Sequence, residues 1–212
     1  MSLPIHHHAP RHIPAQQPLA GDLTLQRGRV HELCGPSRLI LAARIMARCH
    51  GPVVWIRPGW VPERLNAAGL QPLADPSRLI LVQAPHDESL LWAAEEALRS
   101  GAAPTVIAEL LAPPALTPTR RLHLAAETGA EVARRDRATA PLGLLLLSGP
   151  GGAQGVESRW HLAPAPSRSL LWSEEESFTL TRLRARLLPP ARWALHTRRM
   201  DETLEPLSSG ES

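Results

Sequence analysis

Apolar residues in this chain recur in two rhythms that alternate from Gly28 onward. Short, nearly continuous runs, "RVHEL" (29–33), "PVVWI" (52–56), "SRLILVQA" (77–84), "PTVIAEL" (104–110) and "LGLLLL" (142–147), have the length and content of buried strands. Between them the period is helical. Residues 37–49 put Leu39, Ala42, Ala43, Ile45 and Met46 broadly on one face. "DESLLWAAEEALRSG" (87–101) predicts a helix capped by Asp87 and closed by Gly101 behind Arg99, and "LTPTRRLHLAAETGA" (116–130) one with Thr117 as N-cap and Pro118 at its first position. Strands separated by helices of this length imply an α/β fold with a mostly parallel sheet flanked by helices.

The rhythm changes after the Gly-rich "SGPGGAQG" (148–155). "ESRWHLAP", "FTLTRLRARLL" and "ARWALHTRR" read as strands, the last two joined by a turn at Pro189-Pro190, so an antiparallel C-terminal extension is expected on one edge of the sheet. Residues 1–27, rich in Pro, His and Gln with no apolar period, read as a flexible lead-in. Residues 28–200 read as one core, and 201–212 as a disordered polar tail.

Composition narrows the chemistry. The 212 residues include 23 Lys plus Arg, and every one of the 23 is Arg. A Schiff-base lysine, a lysine general base and a P-loop lysine are therefore excluded. A net charge of +3 permits nucleic-acid contact without demanding it. Cys34 and Cys49 lack C-x-x-C spacing and predict reduced thiols in a cytoplasmic protein. No apolar run approaches the ~20 residues of a membrane span, and no signal-peptide pattern is present.

The stretch from Gly28 through Gly35, Pro36, Ser37 and Arg38 has the strand–turn–helix order of a phosphate-binding loop, but the turn is too short to wrap a triphosphate and no Ser/Thr follows to hold Mg²⁺. Glu109 ends its strand where nucleotide-hydrolysing α/β folds carry a metal-orienting acid; alone it reads equally as an Arg-paired residue. His6 to His8 and His12 sit in the lead-in without a Cys or acid nearby, and no metal or cofactor is expected. Cys34 reads as a buried inert thiol, and the Gly-rich loop as a mobile connection rather than an anion cradle. Trp55, Trp92, Trp160 and Trp193 are expected in the core. Trp60, between Gly59 and Pro62 with Arg57 and Arg64 close by, is the exposed aromatic candidate for a partner contact; Trp172 lies in an irregular segment. Arg182, Arg184 and Arg186 alternate at period two and are expected to form one basic stripe.

Placed in order, these pieces resemble the RecA ATPase core. "GRVHELCGP" (28–36) is similar to the strand entering Walker A, residues 64–110 to the run ending in the Walker B strand, "LGLLLLSG" to the strand ending in a nucleotide-sensing Gln, and "TRLRARLLPPARWALHTR" to the C-terminal hairpin. The departures fall at catalytic positions: the Walker A lysine and hydroxyl are missing, the catalytic glutamate position reads Arg57-Pro58-Gly59, and the sensing Gln falls near Ser148-Gly149. "LLWAAEEALRSGAAPTVIAEL", "LTPTRRLHLAAETGA" and "ESRWHLAPAPS" are more similar to the RecA-like ImuA group of damage-inducible mutagenesis proteins. That resemblance implies a non-catalytic scaffold in SOS translesion synthesis, with an ImuB-like protein, RecA and an error-prone DNA polymerase as partners. Segments 111–116 and 149–156, at the positions of RecA's DNA-binding loops, contain no Arg, so any DNA contact is expected to be weak or indirect. The alternative the resemblance leaves open is a SulA-like inhibitor of FtsZ-dependent cell division.

Overall fold

The computed structural model describes residues 15–166, 175–198 and 201–207. Its strands are β1 (Gln16–Ala20), β2 (Leu23–Gln26), β3 (Val30–Cys34), β4 (Val53–Pro58), β5 (Leu79–Ala84), β6 (Thr105–Leu110), β7 (Leu142–Leu147), β8 (Ser158–Pro164), β9 (Glu175–Ala185), β10 (Ala191–Arg198) and β11 (Asp201–Leu207). The helices are α1 (Arg38–Ala47), the single turn α2 (Ala67–Leu70), α3 (Asp87–Ser100) and α4 (Leu116–Arg135). Nine strands form one sheet in the order β11-β10-β9-β8-β3-β7-β6-β4-β5, parallel from β8 to β5 and antiparallel from β8 to β11. The fold is thus α/β with a large, mostly parallel sheet flanked by helices and an antiparallel C-terminal extension. The first strand of that extension, β8, still runs parallel to β3.

Side chains alternate between the two sheet faces, and each face has its own core. Leu33, Val53, Trp55, Ile107, Leu142, Leu144 and Leu146 point to the face covered by α1. Val30, Cys34, Ile56, Val106, Ala108, Leu145 and Leu147 point to the face covered by α3 and α4. β7 is buried at every position, as a strand between two parallel neighbours should be. Each fully buried leucine contributes about 2 kcal/mol of transfer free energy. On the second face α3 and α4 approach closely at Gly129: a Cβ there would lie 1.9 Å from the Leu98 carbonyl oxygen, so only glycine fits.

Several expectations are corrected. Residues 16–26 are not a flexible lead-in but the hairpin β1–β2, which buries Leu19, Ala20 and Leu25 in the α1-side core. Arg27 completes it: its Nη1 donates to the Pro104 and Ala140 carbonyls at 2.7 and 2.9 Å. Residues 201–207 are not a disordered tail but strand β11, paired with β10. α3 has His86 rather than Asp87 as N-cap, and α4 begins one residue before Thr117, with Ala115 as N-cap and Pro118 inside its first turn, where a missing N–H costs nothing. Trp55 and Trp160 are core residues and Trp193 is partly buried, but Trp92 is 62% exposed on the outer face of α3. Trp172 and the N-terminal histidines lie outside the described residues.

Candidate functional site

In open α/β sheets ligands bind beyond the carboxyl ends of the parallel strands. Here that edge has two parts. The first is the turn from β3 into α1. Gly35 has φ +90°, and a Cβ on it would lie 2.7 Å from both the His161 ring and the Leu162 carbonyl, so the turn is pressed against β8. Its amides are taken: Gly35 donates to the Gly149 carbonyl at 2.9 Å and Ser37 to the Leu162 carbonyl at 3.1 Å, while Pro36 has no N–H. Ser37 is the helix N-cap and is buried, but makes no side-chain capping bond. The N–H groups that a phosphate would need are satisfied internally.

The second part is a cavity of about 520 Å³ beside that turn, at the ends of β4, β6 and β7. Its walls are mostly apolar, including Leu39, Ile40, Val61, Leu65 and Leu111. Arg38, Arg57 and Arg64 supply positive charge, Glu63 and Glu109 negative. At the base Glu109 accepts a 2.7 Å hydrogen bond from Trp55 Nε1, and Arg57 Nη2 lies 3.5 Å from its other oxygen. The Arg57 side chain is 6% exposed, and its Nε has no partner. Glu109 is therefore Arg-paired, and its partner comes from the end of the neighbouring strand β4. Arg38 Nη1 turns back to the Gly35 carbonyl at 3.3 Å, and Arg64 Nη1 to that of Val61 at 2.7 Å.

The structure thus brings Arg38, Arg57, Arg64 and Glu109 together and leaves Gly35, Pro36 and Ser37 as a packed turn. Trp60 is 44% exposed just past β4 and does not line the cavity. The basic stripe does not exist as predicted. Trp160 pairs with Arg182 but Arg159 with Arg184, so Leu183 is an extra residue that shifts the register. Neighbouring residues on β8 face opposite ways, so this bulge sends Arg182 and Arg184 to opposite faces. Arg182 is 7% exposed, stacks on Trp160 and Trp193 at 5.6 and 5.1 Å, and donates from Nε to the Pro189 carbonyl. Arg184 and Arg186 stay exposed.

The Gly-rich loop overturns its reading as a mobile connection. Glu32, fully buried in β3, accepts from the Gly152 and Ala153 amides at 2.6 and 3.1 Å and from Arg159 Nε at 2.5 Å. The loop does cradle an anion, and the anion is the protein's own carboxylate. Cys34 beside it donates to the Pro150 carbonyl at 3.4 Å; burial, then the Glu32 charge, push its thiol up to about 12, so it is inert. Among the described residues no group of His, Cys, Asp and Glu is arranged to hold a metal, and no helix is long and apolar enough to cross a membrane.

A second buried polar group also escaped sequence reasoning. His31 Nε2 donates to the Gln26 carbonyl at 2.9 Å, which leaves Nδ1 to accept from Ser158 Oγ at 2.7 Å; Trp160 Nε1 donates to the same Oγ at 2.8 Å. Burial holds His31 down at about 4 from 6.5. The fold favours the neutral ring, so the unfolded chain binds the extra proton between these values. This contribution to stability is full above about pH 6.5 and is lost as pH falls towards 4. Urea midpoints taken across that window should fall for the parent and flatten for His31→Gln; equal slopes would refute the assignment.

No family model and no curated protein matches the chain. Among solved structures it is similar to the crystal structure of SulA from Pseudomonas aeruginosa, at 21% identity and a TM-score of 0.43, over 56% of this chain and 98% of that one.

Proposed function

We propose that this chain is a non-catalytic accessory protein on a RecA-like scaffold, acting in damage-induced mutagenesis as a binding platform for an ImuB-like protein, an error-prone polymerase and RecA. The observation that carries the non-catalytic reading is the occupied turn: the Gly35 and Ser37 amides are bonded to Gly149 and Leu162, and an apolar cavity with three arginines lies beside them. Such a cavity suits apolar side chains of a protein rather than a nucleotide triphosphate, which needs free amides, a lysine and a metal-holding hydroxyl. Placement in mutagenesis rests on the segments that resemble the ImuA group.

Affinity capture from DNA-damaged cells tests this reading, with partners identified by mass spectrometry. Polymerase-associated proteins and RecA are the expected catch; capture of FtsZ in their place selects the division-inhibitor alternative. Leu111 is 56% exposed on the cavity wall, so Leu111→Glu should leave melting unchanged and cut capture at least about tenfold. Micromolar ATP affinity by calorimetry, with turnover lost in Glu109→Gln, would defeat the proposal.

A further inference from the structure

The bulge at Leu183 that removes Arg182 from the predicted stripe gives Arg184 and Arg186 a different neighbourhood. They form one wall of a groove of about 420 Å³ whose opposite wall is α4. On that helix Leu116, Arg120 and Leu124 follow at four-residue spacing and so lie along one face. Leu116 is 36% and Leu124 62% exposed, an apolar pair on an otherwise polar surface. The groove shares no lining residue with the cavity at the strand ends.

Its charge is unbalanced. Four arginines, Arg29, Arg120, Arg184 and Arg186, line it against two glutamates, Glu127 and Glu157. Arg29 pairs with Glu127 and, at 3.8 Å, with Glu157; Arg186 reaches the same Glu157 at 3.8 Å. Both acids are therefore engaged, and neither Arg120 nor Arg184 has an acidic partner among the described residues. His123 in the wall adds no charge: its Nε2 donates to the Gly155 carbonyl at 3.1 Å, its Nδ1 accepts from the Val30 amide, and burial lowers its pKa.

From this combination we infer that the groove between α4 and β9 docks an acidic amphipathic helix of a partner protein. Leu116 and Leu124 are two helical turns, about 12 Å, apart, which matches the spacing of apolar residues on one face of a bound helix. Carboxylates flanking those residues would meet Arg120 and Arg184 and complete two unpaired cations. A nucleic-acid strand fits less well. The groove has no Trp, Tyr or Phe on which bases stack, and the His123 ring is held in the wall by its two hydrogen bonds. Its two glutamates repel a uniform polyanion, and phosphates have no use for two exposed leucines.

The inference is independent of which proteins the strand-end cavity holds. Its test is a displayed library of random peptides, selected on the full chain and counter-screened on Arg120→Glu/Arg184→Glu. Both residues are exposed, so the variant should melt like the parent. The expected winners carry leucine-type residues at helical spacing with acids between them. They should bind the variant at least about tenfold more weakly and lose affinity as salt rises. Leu124→Ser should weaken the same peptides without altering their salt dependence. The inference is overturned if no peptide is enriched, if the winners lack acids or bind both proteins equally, or if a single-stranded oligonucleotide takes the groove with the same arginine dependence.

Discussion

Replacing Glu202 by Ala should destabilise the protein by about 3 kcal/mol, although the residue lies in a polar segment ten residues from the C-terminus. Its carboxylate accepts from the Gly21 amide at 2.8 Å and lies 3.1 Å from Arg44 and 2.6 Å from Arg48. It therefore joins the β1–β2 turn, helix α1 and strand β11 at one point. The Arg44 side chain is 2% exposed, so the variant takes a charged partner from a buried cation, which is why the cost exceeds that of a surface pair. For a chain of this size the change corresponds to a fall in Tm of about 10 °C. Burial alone would raise the Glu202 carboxyl, but the Gly21 amide and the two guanidiniums outweigh it and hold it below 4.5. The contribution is thus present above pH 4.5 and is lost as pH falls through the lowered value. Deleting residues 200–212 should cost at least as much, because β10 then loses its neighbour. Melting curves for both variants decide the matter; a parental Tm for the truncated chain would show that β11 adds nothing.

What the sequence made legible, and what it did not, divides along the range of the interactions. Strands β3, β4, β6 and β7 and the three long helices announce themselves because burial on one or both faces writes a period into consecutive residues, as in "LGLLLL" and "DESLLWAAEEALRS". β5 carries the same kind of apolar run, which predicts burial, but it is the edge strand of the sheet, with Ile80 51% and Leu81 53% exposed. The hairpin β1–β2 and strand β11 left no such trace. Each of these three strands has only two or three apolar residues, and they are fixed by partners far along the chain, Leu204 packing against the α1-side core and Glu202 reaching back to Gly21. The stripe of arginines failed for a related reason. Period two holds only while pairing is regular, and the bulge at Leu183 belongs to the register with β8, which no single strand encodes. At the strand-end site, the missing lysine and hydroxyl were visible as absences. The pairing of Arg57 with Glu109 was visible only as two charges, one ending each strand, and it took the β6–β4 register to bring them together. One signal was available and unused: His31 and Glu32 stand in the middle of a strand buried at all five positions, where uncompensated polar groups are costly.

Glu32 carries the other large expected effect. Its carboxylate is wholly inside the protein and is satisfied by two loop amides and Arg159, whose Nη2 also donates to the Ala153 carbonyl at 2.8 Å. Glu32→Ala removes all three bonds and leaves Arg159, 17% exposed, facing a cavity, so a loss of about 4 kcal/mol is expected. Glu32→Gln should cost less, since one amide oxygen still accepts, but its NH₂ group would face donors and cannot bind both loop amides. The loss should be local as well as global. Residues 149–156 are held by these bonds, by the Gly35–Gly149 bond and by the Gln154 amide donating to the Pro114 carbonyl, so amide exchange there should accelerate in Glu32→Gln under conditions where β6 and β7 remain protected. If the pair is a loop anchor, replacing both partners by apolar residues, Glu32→Leu with Arg159→Leu, should recover part of the global stability without restoring protection to the loop amides. A parental melting curve for Glu32→Ala, or unchanged exchange at Gly152 and Ala153 in Glu32→Gln, would mean that the loop keeps its conformation by packing alone.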